Sequence, residues 1–437
     1  SGQVPSSGGI FYGELSLDGS LRATRGVLLV GLFANTSPRH PSPNFSPSAR
    51  VFAVGEGNLR KPCPQVYVPV ESANEAAVVE DINVYPVRNL KELVDHLNNV
   101  KAIESLSHLV IDGLIEDAPV DFDLSEVAGQ EQAKRALTIA AAGGHNLLMW
   151  GPPGAGKTML ARAMPGILPP LTSPEALEVT RIYSVSGMLS VGESLLRRRP
   201  FRSPHHGISP AGIVGGGSNP MPGEVSLAHL GVLFLDEMAE FPRTVLESLR
   251  QPMEDGVVGI VRAAAHVEYP ASFTLLAAVN PCPCGYLGHP RRECKCTDKM
   301  IRKYRSRISG PILDRIDLHV QVPAVEVEKL ASSGQRLASS SLEIRKNVVE
   351  TRKRQEERFG GDGIYTNSQM HNKQVRRYCK LDGETERILR LAVEKWDLSA
   401  RAYFRLIKVA RTIADLEGAE NIAVKHMAEA LQYKQMS

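Results

Sequence analysis

One octapeptide constrains this chain more than any other feature. Gly151-Pro152-Pro153-Gly154-Ala155-Gly156-Lys157-Thr158 is entered from the apolar run 146–150 and left through a helix-periodic segment that begins at Met159. The pattern fits G-x-x-x-x-G-K-[ST], and a place between strand and helix is where that motif is needed. Glycines let backbone N–H groups curl around phosphate oxygens with no Cβ in the way, and the helix N-terminus adds its positive end. Lys157 then neutralises β- and γ-phosphate charge, and the Thr158 hydroxyl serves as a Mg2+ ligand.

The segments around this loop alternate. A helix is expected over 131–142, a strand over 146–150, then the loop and its helix, a long Gly/Pro-rich middle, and a strand over 231–235. A helix at 243–253, a hairpin at 256–269 and a strand at 273–279 follow. Strands alternating with helices predict an α/β fold with a parallel sheet and crossover connections. Beyond about residue 326 the pattern is helical throughout, with a polar loop at 332–341. At the front, FYGELSLDGSLRATRGVLLV reads as a hairpin turning at Asp18-Gly19. The Pro/Ser-rich residues 36–50 read as a loop, 66–70 and 82–87 as strands, and 90–97 as a helix. This divides the chain into a small α/β unit at 1–100, a linker at 101–123, a core at 124–325 and a helical domain at 326–437, without internal repeats.

Composition excludes several classes. Of 437 residues, 43% are hydrophobic and 23% charged, which provides for sizeable cores and rules out wholesale disorder. No window holds 18 uninterrupted apolar residues, so no membrane span is expected. The first residues, SGQVPSSGGIFYGEL, lack the charged and apolar regions of a secretory signal. A net charge of +3 leaves any electrostatic footprint local. Four of six cysteines crowd into 282–296, a pattern of metal binding in a reducing compartment, so the chain is expected in the cytoplasm.

Two acids and an amide extend the phosphate-loop reading. The apolar run Val232-Leu233-Phe234-Leu235 ends in Asp236-Glu237, about 80 residues beyond the loop. At the C-terminal end of a parallel strand Asp236 reaches a Mg2+ shell, and Glu237 can polarise an attacking water, a base role that hydrolysis needs. Asn280 directly follows SFTLLAAV and can orient that water, though an Asn before Pro281 also simply starts a turn. Arg315 and Arg401 are single arginines, which taken alone read as surface ion pairs.

These residues carry a resemblance. GQEQAKRA at 129–136, GGHNLLMWGPPGAGKT at 143–158, RPFRSPHHGISPAGIVGGG at 199–217, PGEVSLAHLGVLFLDE at 222–237, AAVNPCPCG at 277–285 and LSARAYFRLIKVARTIADL at 398–416 resemble the AAA+ ATPases of the magnesium-chelatase-like group. Within it the chain resembles the ComM/YifB family, whose characterised member is a hexameric helicase promoting branch migration during natural transformation. The resemblance implies ATP and Mg2+ as cofactors, a hexameric ring of identical subunits, and DNA, single-stranded or branched, as partner. It implies that Asn280 is sensor 1, Arg315 an arginine finger acting on a neighbour's nucleotide, and Arg401 the sensor 2 arginine. Residues 180–225 match the helix-2 insertion of this clade, 256–269 its presensor hairpin, and the C-terminal helices its lid. The front resembles the second half of a Lon-protease-like domain. Leu28 stands where that fold carries a catalytic lysine, so proteolysis is not expected.

Cys282 and Cys284, then Cys294 and Cys296, offer four thiolates for tetrahedral Zn2+, with His289 as an alternative ligand and free thiols as the competing reading. Two basic stretches are candidate phosphate contacts: Arg197-Arg198-Arg199 with Arg202, His205 and His206, and eight Lys/Arg within 289–307. The expected work is remodelling of, or translocation on, DNA. The alternatives are the ATPase subunit of a metal-inserting magnesium chelatase and a protein-remodelling ATPase with no nucleic-acid partner.

Overall fold

The computed structural model describes residues 9–36, 63–111, 122–190, 192–217, 220–262, 265–324 and 340–434, with only the backbone of 261, 262, 265 and 266. Most of the expected Pro/Ser-rich loop, part of the linker and most of the 332–341 loop lie outside these residues. The chain divides into two compact units, Ser1–Ala118 with Leu171–Arg198, and Pro119–Pro170 with Arg199–Ser437.

The first unit contains β1 (Ile10–Phe11), β2 (Glu14–Leu15), β3 (Leu21–Arg22), β4 (Gln65–Pro69) and β5 (Asn83–Val87). β2 and β3 form the short antiparallel hairpin expected around Asp18-Gly19. The expected second arm is corrected: Val27–Thr36 is a helix, not a strand. Its apolar residues run together instead of alternating, and Val27, Leu28, Gly31 and Ala34 bury one face, a helical spacing. Leu28 is fully buried there. β1, β4 and β5 make a parallel sheet in the order β1-β4-β5. Val66, Val68 and Val84 on it pack with Val27 and Ala34 of the helix. The helix Ser173–Ser186 also belongs to this unit; Thr172 and Glu175 form its capping box and Gly187 ends it.

The second unit is built on five parallel strands in the order β14-β6-β13-β10-β7. They are β6 (Leu147–Trp150), β7 (Phe201–Arg202), β10 (Val232–Leu235), β13 (Thr274–Val279) and β14 (Leu318–Gln321). β8 (Gly215–Gly216) pairs with β9 (Met221–Pro222), and β11 (Val257–Arg262) with β12 (Ala265–Pro270), as antiparallel ribbons outside this sheet. Side chains alternate between two cores, as strand geometry requires. Leu147, Met149, Phe234, Leu276 and Ala278 face one core, which also takes residues from the helices Glu131–Gly143, Lys157–Ile167, Ser341–Phe359 and Ala400–Leu416. Leu148, Leu233, Leu235, Leu275 and Ala277 face the other, with Val245, Leu246, Tyr304 and Ile316.

Three expectations are refined. β7 lies inside the stretch 180–225, so part of that stretch is sheet. The helix at 243–253 is two, Arg243–Ser248 and Arg250–Asp255. β14 went unread in the sequence because LHVQVP is short and follows a turn-rich run. The hairpin at 256–269 and the helical C-terminal region are present. Among the described residues no helix is long and apolar enough to cross a membrane.

Candidate active site

Because β6, β10 and β13 run parallel and in register, their carboxyl ends open on one edge. There β6 feeds the loop Gly151–Gly156, β10 delivers Asp236 and β13 delivers Asn280. Such an edge is the usual ligand crevice of an open parallel sheet. The loop is held from below by a bond from the Gly151 amide to the Val279 carbonyl, 3.2 Å. A Cβ on Gly151 would lie 2.0 Å from the Val322 carbonyl oxygen, so no other residue fits. Gln130, itself in a left-handed conformation, bonds through its side chain to the Ala155 and Pro323 carbonyls. It ties the loop to the end of β14, a role the sequence motif did not disclose.

Lys157 opens the helix Lys157–Ile167 and folds back over the loop. Its Nζ donates to the Gly151 carbonyl at 2.7 Å, the Pro152 carbonyl at 2.8 Å and Asn280 Oδ1 at 3.2 Å. Burial pushes its pKa down to about 8, against the pull of Asp236 and Glu237 in the other direction. Thr158 donates its hydroxyl to Asp236 Oδ2 at 2.8 Å. The two residues assigned to Mg2+ from sequence therefore already adjoin, as a hydroxyl and a carboxylate oxygen suited to that hard cation. Glu237 has a left-handed backbone, φ 50 and ψ 46, and opens the turn Met238–Glu240. Tyr304, on the helix Asp298–Arg305, is buried, and burial raises its pKa to about 12.

Arg315 and Arg401 are elsewhere. Both pair with Glu254, Arg315 at 2.8 Å, and neither partners Lys157, Thr158, Asp236 or Asn280 among the described contacts. Arg315 also donates to the Pro311 carbonyl at 2.6 Å, while its Nε is buried with no hydrogen-bond partner among the described residues. Burial works to raise the Glu254 pKa, but the two guanidiniums prevail and hold it below the ordinary carboxylate value. One carboxylate between two arginines leaves a net positive pair. Glu254 drew no attention in the sequence, since an acid near a helix end is common.

Cys282, Cys284, Cys294 and Cys296 converge, with all four sulfurs within 4.8 Å of one another. Sulfur–sulfur distances are 3.4 Å for Cys282–Cys284 and 3.6 Å for both Cys282–Cys294 and Cys284–Cys294. A tetrahedron with zinc–sulfur bonds of about 2.3 Å has edges of about 3.8 Å, so the donor set and spacing fit zinc. The Cys296 amide also bonds Cys294 Sγ. His289 is not among the converging ligand groups, and its Nδ1 accepts the backbone N–H groups of Arg291 and Arg292.

The basic stretches divide. Arg199 donates to the Pro169, Leu230 and Pro170 carbonyls, and Arg202 forms a two-pronged pair with Glu224. Both guanidiniums are held by internal partners, which counts against Arg199 and Arg202 alike as phosphate contacts; Arg197 is exposed. The eight basic residues of 289–307 are all exposed, with Arg307 paired to Glu240 and Arg292 bonded to the Tyr286 hydroxyl.

Comparison with known proteins agrees with this geometry. Residues 123–330 match the family model "Magnesium chelatase, subunit ChlI", and residues 338–434 match the model of its C-terminal part. The chain is 41% identical over 429 residues to Competence protein ComM of Haemophilus influenzae, covering 98% of this chain and 77% of that protein. It is 39% identical over 426 residues to YifB of Salmonella typhimurium, covering 97% and 76%. The magnesium-chelatase 67 kDa subunit of Heliobacterium mobile is 28% identical over 194 residues, 38% of this chain and 29% of that protein.

Proposed function

This chain belongs to the ComM/YifB family of magnesium-chelatase-like AAA+ proteins, and from that premise we propose that it is an ATP-hydrolysing motor acting on DNA as a ring of identical subunits. One observation carries the reading. Lys157, Thr158, Asp236 and Asn280 assemble at the carboxyl edge of the sheet, whereas Arg315 and Arg401 sit together on Glu254. In this reading a second copy of the chain completes the hydrolytic site by bringing its Arg315.

When bound, Mg2+ offsets charge on the phosphates of ATP. Lys157 exchanges loop carbonyls for phosphate oxygens, while Thr158 and Asp236 hold the cation. Glu237 accepts a proton from the attacking water and Asn280 orients it. Arg315 of an adjacent copy stabilises charge as the terminal phosphoryl group departs, and Arg401 serves as the sensor 2 arginine. The four cysteines hold a structural Zn2+. Residues 124–325 form the ATPase core with its helix-2 insertion and presensor hairpin, 326–437 the lid, and 1–100 a non-proteolytic Lon-like domain. Six subunits form the ring, in the cytoplasm, a compartment that suits four reduced thiols.

DNA, single-stranded or branched, is the substrate. The observation that favours it is the run of exposed Lys and Arg between 291 and 307, reaching from the cysteine loop onto the helix Asp298–Arg305. The name of the competence protein, similar over nearly the whole chain, points the same way. ATPase rate measured with and without single-stranded and forked DNA tests this: stimulation that fades with rising salt is expected. A rate indifferent to DNA would leave a metal-inserting or protein-remodelling ATPase as the function.

A further inference from the structure

The cysteine cluster stands against the nucleotide site. Asn280, which bonds Lys157 through its side chain, precedes Cys282 by a single residue, Pro281. Two residues after Cys282–Pro283 the loop turns at Gly285, with φ +82, and rests on the phosphate loop: a Cβ there would lie 2.6 Å from Pro153 Cδ. On the far side of the cluster, Cys296 leads into the helix Asp298–Arg305, whose buried Tyr304 packs in the same core as Leu275 and Ala277 of β13, the strand that Asn280 follows. The loop is thus tied at three points: to Asn280 by the chain itself, to Pro153 by close approach, and through Tyr304 to the core under β13.

Apolar packing contributes little to its order. Residues 286–296 are half-buried or exposed and include no aliphatic side chain beyond Leu287 and Pro290, and the contacts of Tyr286 with His289 and Arg292 are local to the loop. A segment with so little apolar area cannot hold one conformation by packing, whereas four thiolates closing on one cation can. Three-point attachment then transmits that order inward, since a group that positions water loses rate steeply with small displacement.

The geometry points to a metal-held brace: Zn2+ bound by Cys282, Cys284, Cys294 and Cys296 sets the positions of Asn280 and Pro153, so that ATP turnover depends on a metal that never touches nucleotide. Gly285 and Tyr304 are positioning residues in this arrangement. The inference rests on the ATPase reading above and concerns how that site is held in shape.

The full chain is prepared with zinc, and metal content, kcat, KM and fluorescent-nucleotide affinity are measured. The same quantities are measured after chelation, after zinc return, and in Cys294→Ser/Cys296→Ser and Gly285→Ala. About one zinc per chain is expected. Chelation or the double substitution should lower kcat on the order of tenfold to a hundredfold, with a smaller change in nucleotide affinity. Zinc or cadmium should restore the chelated protein, because both close a four-thiolate site. Gly285→Ala should keep its zinc and still lose kcat, which separates a shifted loop from a lost metal. Full turnover in protein without zinc overturns the inference, and so does unchanged kcat after verified zinc removal. Absence of hydrolysis in the zinc-loaded wild-type chain would instead strike the ATPase reading.

Discussion

Lys157 must carry charge to meet phosphate, yet it is buried under its own loop. Its pKa of about 8, lowered by burial, lies well below the ordinary lysine value of 10.5. Between those values the unfolded chain holds more protons than the folded one, so this residue makes the apo fold gain stability as pH rises through the window. Nucleotide binding has the opposite dependence. Above about pH 8 the apo lysine is increasingly neutral and must take up a proton to bind phosphate, so ATP affinity should be about tenfold weaker at pH 9 than at pH 7. Calorimetry in two buffers of different ionisation enthalpy should show proton uptake on binding at pH 9; affinity flat from pH 7 to 9 would contradict it. Glu237→Gln keeps shape and loses the base, so ATP should still bind while turnover falls by about 10²–10⁴. Rates within tenfold of wild type would remove Glu237 from that role. At this scale the phosphate loop, Asp236 and Asn280 were legible because each is a residue type fixed at a strand end. Glu254 and Gln130 were not, since their meaning comes from partners 61 and 193 positions away, at Arg315 and Pro323.

Among the elements, those with a strong period read correctly. The helix at Leu90–Leu97 begins on Asn89, whose side chain accepts the Glu92 amide, and Asp-Gly at 18–19 marks the β2–β3 turn. Readings failed where a run was short or uniformly apolar, as at Val27–Thr36 and β14, because such a run shows neither the alternation of a strand nor the polar face of a helix. The helices of the C-terminal region are joined by a group no periodicity reveals. Asp415, 1% exposed, pairs with Arg411 at 2.9 Å and with Arg358, and accepts from the Asn367 amide at 2.8 Å. Asp415→Ala would strand two guanidiniums inside, so a loss of about 3–5 kcal/mol in unfolding free energy is expected from denaturant titration. A loss below 1 kcal/mol would mean that water reaches the cluster.

For the whole molecule, the two-arginine arrangement makes a prediction about assembly. Arg315→Ala should bind ATP normally and lose hydrolysis by about 10³–10⁵, the contribution of arginines supplied in trans in related phosphoryl transfer. Mixed with Glu237→Gln subunits it should regain part of the rate, because a sound arginine can then face a sound glutamate. Co-assembled but inactive mixtures would place Arg315 in its own subunit's site or in a purely structural role. Arg199, taken from sequence as a phosphate contact, shows a different logic in the chain's route. The chain leaves the second unit after Pro170 and returns at Arg199, having contributed 171–198 to the first. Arg199 bonds the carbonyls of Pro169 and Pro170, so departure and return meet at one guanidinium. The excursion is therefore a detachable cassette: its two ends are already neighbours, and a bridge of a few residues could close the gap it leaves. A gene fragment starting near residue 119 would carry 171–198 along without the helix Val27–Thr36 it packs on, and the cleaner dissection takes both pieces out together.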